Sequence, residues 1–167
     1  MQIEEIAVIL DSLARQARDD EAAFRTAAVD ADELSLTALS VTCAVMSRER
    51  AEELEGMSIL YRNGPKPLSH FFAPVTRTWN WLRATLQNRD DVDIVESCKR
   101  HEDAARKAYE EVLQLALPAN LRAALKNHLS TIRECDGDLR RLRRHIWERA
   151  NRGEPVTMQA NISAFGD

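Results

Sequence analysis

Long segments of this chain repeat apolar residues at intervals of three and four, and this pattern constrains the fold more than any other feature. Such spacing gathers the apolar side chains on one face of an α-helix, which must then be buried against other helices. The sequence has only five glycines and five prolines in 167 residues, which is too few for an architecture of strands and turns. We therefore predict an all-α fold, a four-helix bundle formed by residues 1–150, followed by a flexible tail, 151–167, in which the periodicity is lost.

Capping and stop signals give the helix boundaries. The first helix is predicted from Ile3 to Ala28 and the second from Glu33 to Tyr61, with the acidic cluster at residues 30–33 as its cap. The polar run at 88–91 is predicted to cap a third helix that ends at Leu117, before Pro118. The fourth helix is predicted from Leu121 to Ala150.

The connection between the second and third helices, residues 64–90, is long and rich in aromatic residues. An amphipathic piece within it, which contains Trp79 and Trp81, predicts a short helix lying on the bundle. A link of this length can cross the whole bundle, which gives the up-down-down-up order of ferritin-like folds. The alternative is a plain up-down bundle whose middle loop folds back on itself.

Charge, cysteine content and hydropathy exclude some classes of protein. The net charge of −4 argues against nucleic-acid binding by the whole domain. No apolar run approaches the roughly 20 residues of a membrane span, and the N-terminus does not resemble a signal peptide. Cys43, Cys98 and Cys135 are odd in number and far apart, which favours buried free thiols in a reducing cytoplasm over a disulfide framework. The expected partners are a second copy of the chain or another protein.

Several ionisable residues fall on the apolar seams of the predicted helices. Glu21 lies between Ala17 and Phe24, and Glu102 lies between Cys98 and Ala105. Counting residues in both directions from the turn between the third and fourth helices places Glu102 opposite Cys135 and Asp136. In the crossover topology, Glu21 lies at a similar distance from the same end of the bundle. A metal site is therefore one hypothesis, with iron or manganese held by Glu21, Glu102, Asp136 and His101.

Other observations weigh against that site and favour simpler roles. Two-metal sites in ferritin-like bundles use Glu-x-x-His pairs, and the sequence has none. The acidic residues assigned to the seam of the second helix, Glu49 and Glu53, come roughly 10 Å too far along it. Glu21 and Glu102 are then expected to meet Arg or Tyr partners in the bundle or to sit at its edge. His128 is predicted to bond to Tyr109, and it lies about 10 Å from Cys135 by helical rise, so nucleophilic catalysis is not predicted.

The strongest run of charge is a series of arginines from Arg140 to Arg152. Cations near a helix C-terminus offset the helix dipole, so this run is interpreted as a solvated helix end. A binding site for an acidic partner is the alternative.

Two stretches of the sequence resemble a known family. The segment TWNWLRATLQNRDDVDIVESCKRHEDAARKAYEEVL and the earlier stretch RDDEAAFRTAA are similar to an uncharacterised bacterial ferritin-like family, classed as a domain of unknown function. The similarity covers roughly residues 5–145 and is carried by Glu21, Phe24, Trp79, Arg89, Asp90, Asp91, Glu102, Asp103 and Tyr109. It implies a ferritin-like bundle and brings no assigned activity. The family has a His on the fourth helix where this chain has Asp136, which weakens the metal hypothesis.

Two functions remain open from the sequence. The favoured one is a non-enzymatic interaction or structural module with a degenerate metal centre and no cofactor. The alternative is a protein that binds two metal ions, or an oxidative enzyme, with the core carboxylates as ligands.

Overall fold

The computed structural model describes residues 3–62 and 90–153, and within these residues the chain forms four α-helices and no strand. The helices are α1 (Ile3–Asp30), α2 (Leu34–Arg62), α3 (Asp91–Val112) and α4 (Ala119–Asn151). The predicted short helix with Trp79 and Trp81 lies outside the described residues, as does most of the predicted tail.

Each helix packs mainly against two of the others, and α2 and α3 also touch. α1 lies beside α2 and α3, and α4 completes the bundle beside α3 and α2. Contacts between α1 and α3 show that they are antiparallel. Just after the end of α1, the backbone N–H of Asp32 donates to Asp91 Oδ1 at the start of α3, at 2.9 Å. Earlier in α1, Asp20 contacts His101, which comes later in α3, at 3.0 Å.

The contacts between α2 and α4 are also antiparallel. Glu33, next to the start of α2, pairs with Arg149 near the end of α4, whereas Glu53 contacts His128 at 2.9 Å. α1 is also antiparallel to α2, because Arg18 pairs with Glu55 and the earlier residue Asp11 accepts from the later residue Ser58. Since α1 is antiparallel to both α2 and α3, those two helices run in the same direction.

The core is divided along the bundle axis into two apolar clusters. One contains the first half of α1 together with the second half of α3 and the first half of α4, and its members include Leu10, Leu13, Leu54, Tyr109, Leu125 and Ile132. The other contains the opposite ends of those helices, and its members include Phe24, Leu36, Cys43, Val95, Cys98 and Leu139. The apolar residues predicted to flank Glu21 and Glu102 on their seams, Ala17, Phe24, Cys98 and Ala105, are all buried.

The ends of the helices agree with the sequence signals except at two places. The Asp90 side chain accepts a hydrogen bond from the N–H of Asp93 at 2.9 Å, as an N-cap does. α3, however, ends at Val112 and not at Leu117, because the next residues turn tightly, with the Leu115 N–H donating to the Val112 carbonyl. The second exception is the acidic cluster predicted to cap α2, where the Glu33 carboxylate pairs with Arg149 of α4.

None of the helices among the described residues is long and apolar enough to cross a membrane.

A buried polar layer as the candidate functional site

A layer of polar side chains separates the two apolar clusters, and each helix contributes to it. Its members are at most 5% exposed: Asp20 from α1, Ser47 and Arg50 from α2, Glu102 from α3 and Asp136 from α4. Buried polar groups are costly unless they are paired, so the contacts of each member indicate what the layer can do.

Glu102 is the most isolated member of the layer. Its side chain is 1% exposed, and neither carboxyl oxygen has a hydrogen-bond partner among the described residues. Burial raises the pKa of Glu102 to about 8; the charge of Arg50 opposes this shift, and those of Asp20 and Asp136 add to it. Glu102 therefore retains its proton at neutral pH.

Arg50 supplies the buried positive charge, and sequence reasoning did not identify it. Its side chain is 4% exposed, and its Nη2 donates to Ser47 Oγ at 3.0 Å. Glu49 and Glu53, the acidic residues predicted for the seam of this helix, are exposed, so that prediction is wrong. The signal was present in the spacing, because Arg50 lies three residues after Ser47 and four before Leu54, both buried.

On α1 the buried acid is Asp20 and not the predicted Glu21. Asp20 Oδ1 accepts from Gln16 Nε2 at 2.9 Å and lies 3.0 Å from His101 Nδ1. Glu21 instead forms ion pairs with Arg18 and Arg25, each at 3.2 Å, and lines a groove against α2. Both positions suit the spacing of the seam, but only Asp20 is placed against α3.

Asp136 lies in the layer as predicted, but cations surround it. Lys99 Nζ lies 2.7 Å from Asp136 Oδ1, and Arg140 lies 2.8 Å from the other carboxylate oxygen. Lys99 also contacts Asp103 at 2.6 Å. Asp136 is therefore a paired anion, and its position near Glu102 agrees with the predicted juxtaposition.

Two of the three cysteines are joined, which corrects the prediction of three free thiols. Cys43 of α2 and Cys135 of α4 form a disulfide with a Cα–Cα distance of 6.4 Å across 92 residues of sequence. Sequence separation does not reveal such a pair, because the antiparallel packing of α2 on α4 brings the residues together. Cys98 is free and buried, and burial raises its pKa to about 12. The prediction of a reducing cytoplasm loses its main argument.

The disulfide and Glu102 form a cluster of potential metal ligands. The sulfur atoms of Cys43 and Cys135 and a carboxyl oxygen of Glu102 all lie within 4.8 Å of one another. It is the one group of three or more His, Cys, Asp or Glu side chains with this closeness in residues 3–62 and 90–153. The four predicted ligands are not brought together as such a group.

The predicted contact of Tyr109 with His128 is present. The Tyr109 hydroxyl lies 3.1 Å from His128 Nδ1, and His128 Nε2 lies 2.9 Å from Glu53. Burial raises the pKa of Tyr109. These contacts give the buried polar atoms of Tyr109 and His128 hydrogen-bond partners beside the first apolar cluster, which is a structural role.

The arginines of α4 form ion pairs within the chain. Arg140 pairs with Asp136, Arg141 with Asp138, Arg143 with Glu96 and Arg149 with Glu33. These contacts favour the interpretation of the run as a helix surface.

Comparison with known proteins gives a family match. The family model described as "Domain of unknown function (DUF2383)" matches residues 5–115. The match covers α1, α2 and α3 and ends before α4, so it stops short of the 145 that we predicted. Cys43, Arg50 and Glu102 lie inside the matched region, whereas Cys135 and Asp136 lie beyond it. No curated protein matches the sequence.

Proposed function

Because the chain belongs to the family described as a domain of unknown function (DUF2383), its role is inferred from its own geometry, and we propose a non-enzymatic helical module. In this proposal the bundle is ferritin-like, and its polar centre is neutralised by a side-chain cation in place of a pair of metal ions.

The directions of the helices support the ferritin-like part of the proposal. α2 and α3 run the same way, and each is antiparallel to α1 and α4. An up-down-down-up order of this kind requires one connection that joins opposite ends of the bundle, as in ferritin-like folds.

The buried Arg50 is the observation that carries the proposal. A two-metal centre in such a bundle needs acidic ligands from all four helices and a His from two of them. Here α2 contributes a guanidinium to the layer, and its charge opposes the binding of two divalent cations. Asp136 is occupied by Lys99 and Arg140, and Asp20 by Gln16 and His101. These residues do not fit a pair of hard metal ions.

Metal loading distinguishes this proposal from the two-metal alternative. The protein with its disulfide intact would be incubated with Fe²⁺ without oxygen or with Mn²⁺, desalted, and analysed for bound metal and for Tm. We expect no stoichiometric metal and no change in Tm. Two equivalents of metal with a raised Tm, both lost in Glu102→Gln and kept in the exposed control Glu49→Gln, would establish the alternative.

A groove between α1 and α2 is the surface we propose for interaction. It has a volume of about 300 Å³, with Val29, Val41 and Val45 as its apolar lining and Glu21 and Arg48 among its charged residues. These valines are between 40% and 83% exposed. The surface carries an apolar stripe beside charges of both signs, and a two-fold axis would bring two apolar stripes together and set acidic residues of one copy against basic residues of the other. A second copy of the chain is the occupant we propose.

A further inference from the structure

Three side chains from three helices meet around the Cys43–Cys135 disulfide. Cys43 comes from α2, Glu102 from α3 and Cys135 from α4, and all three are at most 3% exposed. Their sulfur and carboxyl oxygen atoms lie within 4.8 Å of one another. Thiolate and carboxylate are both ligands for Zn²⁺.

The state of Glu102 is a second and independent indication of a ligand. Both of its carboxyl oxygens are buried without a hydrogen-bond partner among the described residues. A buried carboxyl group that is left unsatisfied costs free energy, and a disulfide offers it no donor. A structural cross-link alone therefore does not account for an acidic residue at this position.

We propose that reduction of the Cys43–Cys135 disulfide converts this cluster into a site for one Zn²⁺ ion, bound by the two thiolates and the Glu102 carboxylate. The site is distinct from the two-metal centre considered above, because it uses both cysteines and a single borderline-soft ion.

The chemistry balances with a thiol reductant. A dithiol donor gives two electrons and two protons to the disulfide, the S–S bond breaks, and the donor becomes a disulfide while Cys43 and Cys135 become thiols. Zn²⁺ then displaces one proton from each thiol, and Glu102 binds as the carboxylate after releasing its own proton. In the reverse step a disulfide-containing oxidant exchanges with the two thiolates, re-forms the Cys43–Cys135 bond and leaves as its dithiol after taking up two protons, so both sulfur ligands are lost and the ion is released.

The geometry allows the site to form with small movements. Tetrahedral Zn²⁺ with Zn–S bonds of about 2.3 Å separates two sulfurs by about 3.8 Å. A Cα–Cα distance of 6.4 Å lies toward the wide end of the disulfide range, so rotation of the side chains can separate the sulfurs without large backbone shifts. Three protein ligands leave the fourth position of the metal open.

The balance of charge favours one Zn²⁺, with Arg50 as the neighbouring cation that neutralises the complex. Two thiolates and one carboxylate around a divalent ion leave a single negative charge. The guanidinium of Arg50, whose charge already acts on Glu102, offsets it. Thiolates also select Zn²⁺ over Mn²⁺ and Mg²⁺, which prefer oxygen ligands.

The test compares zinc binding by the full chain in its two redox states. The protein is reduced with a phosphine, which becomes the phosphine oxide by taking oxygen from water, and a thiol titration in denaturant confirms three thiols where the disulfide form has one. After incubation with Zn²⁺ and desalting, we expect one equivalent of zinc in the reduced protein and none in the disulfide form. Co²⁺ in place of Zn²⁺ is expected to give a thiolate-to-cobalt charge-transfer band.

Single variants assign the ligands. Cys43→Ser and Cys135→Ser are expected to lose the bound zinc and the cobalt band, and Glu102→Gln is expected to weaken binding by more than about tenfold. Cys98→Ser is the matched control, because this buried thiol lies one helical turn from Glu102 outside the cluster, and it is expected to bind like the wild type. Circular dichroism establishes which variants are folded. If reduction unfolds the chain, one equivalent of Zn²⁺ is expected to restore the helical signal.

The proposal is overturned if the reduced protein binds no zinc, if both redox states bind it equally, or if Cys98→Ser abolishes binding. Failure here leaves the non-enzymatic module untouched, because that proposal is tested with iron and manganese on the protein with its disulfide intact.

Discussion

Arg50 and Glu102 define the centre of the bundle at the scale of single residues. Arg50 carries its charge in a site that is 4% exposed, and Glu102 is buried with both oxygens unpartnered. Burial favours the neutral form of a carboxyl group, so Glu102 holds a proton that it would lose in water. The titration of this single residue therefore couples to the stability of the fold.

Glu102→Gln is expected to remove part of the pH dependence of stability. The pKa of Glu102 is raised from 4.5 to about 8, so the folded state holds a proton that the unfolded state has released. The free energy of unfolding should then fall as the pH rises from about 4.5 to about 8, by a few kcal/mol at most. Urea unfolding of the disulfide form at pH 5 and pH 8 measures this.

In the Gln variant the decline over that pH range should be smaller than in the wild type. Glu49→Gln, which changes an exposed carboxylate on α2, should retain the wild-type decline. An equal decline in the wild type and in Glu102→Gln would contradict the assignment.

At the scale of elements, a local capping signal starts α3, whereas packing determines which helix faces meet. α3 starts at Asp91 because the Asp90 side chain accepts the N–H of Asp93. α1 exposes one side of its seam to α2 and another to α3, so that adjacent residues, Asp20 and Glu21, have different surroundings.

Asp90→Ala is expected to lower the free energy of unfolding by about 1 kcal/mol, because it leaves an N–H of the first turn of α3 without its acceptor. Asp90→Asn keeps an oxygen that can accept this bond and should remain close to the wild type. Urea unfolding checks both. Equal losses in the two variants would show that charge, and not capping, stabilises this end.

At the scale of the whole molecule, the disulfide joins α2 to α4 and so ties the two helical hairpins together. It spans 92 residues of sequence. A cross-link over such a distance restricts the unfolded chain strongly. The cross-link belongs to the second apolar cluster and borders the polar layer at Glu102.

Reduction is expected to destabilise the metal-free protein by about 2–4 kcal/mol, which corresponds to a decrease in Tm on the order of 10 °C. Thermal unfolding followed by circular dichroism, with and without a phosphine and with a chelator present, measures the change. Cys98→Ser should show the same difference between the two redox states, whereas Cys135→Ser should show none. A wild-type Tm independent of reduction would rule out a stabilising cross-link.

Val45→Glu is expected to shift the proposed dimer to a monomer, because it places a charge in the groove between α1 and α2. Val8→Glu is the matched control, since Val8 is 41% exposed and Val45 is 40% exposed, and Val8 lies outside the groove. Light scattering and sedimentation measure the oligomeric state. A wild-type protein that is monomeric at all concentrations would contradict the proposed interface.

The sequence by itself determined the four helices, most of their apolar faces and the contact of Tyr109 with His128. These follow from spacing along a helix and from short turns, which make consecutive helices antiparallel so that residues equally far from the turn face each other. Both are local properties of the chain. It also placed Glu102 beside Cys135 and Asp136, because α3 and α4 form a hairpin. Asp20, Arg50 and the Cys43–Cys135 pair required the tertiary structure.

Their positions depend on which helices are neighbours across a long connection. Sequence spacing places Asp20 and Glu21 on the same seam, and only the presence of α3 on one side and α2 on the other distinguishes them. Arg50 is buried on a face of α2 that also buries the small residues Ser47 and Ala51. The buried layer first predicted as a set of metal-binding carboxylates is thus a cation beside a protonated acid and a disulfide.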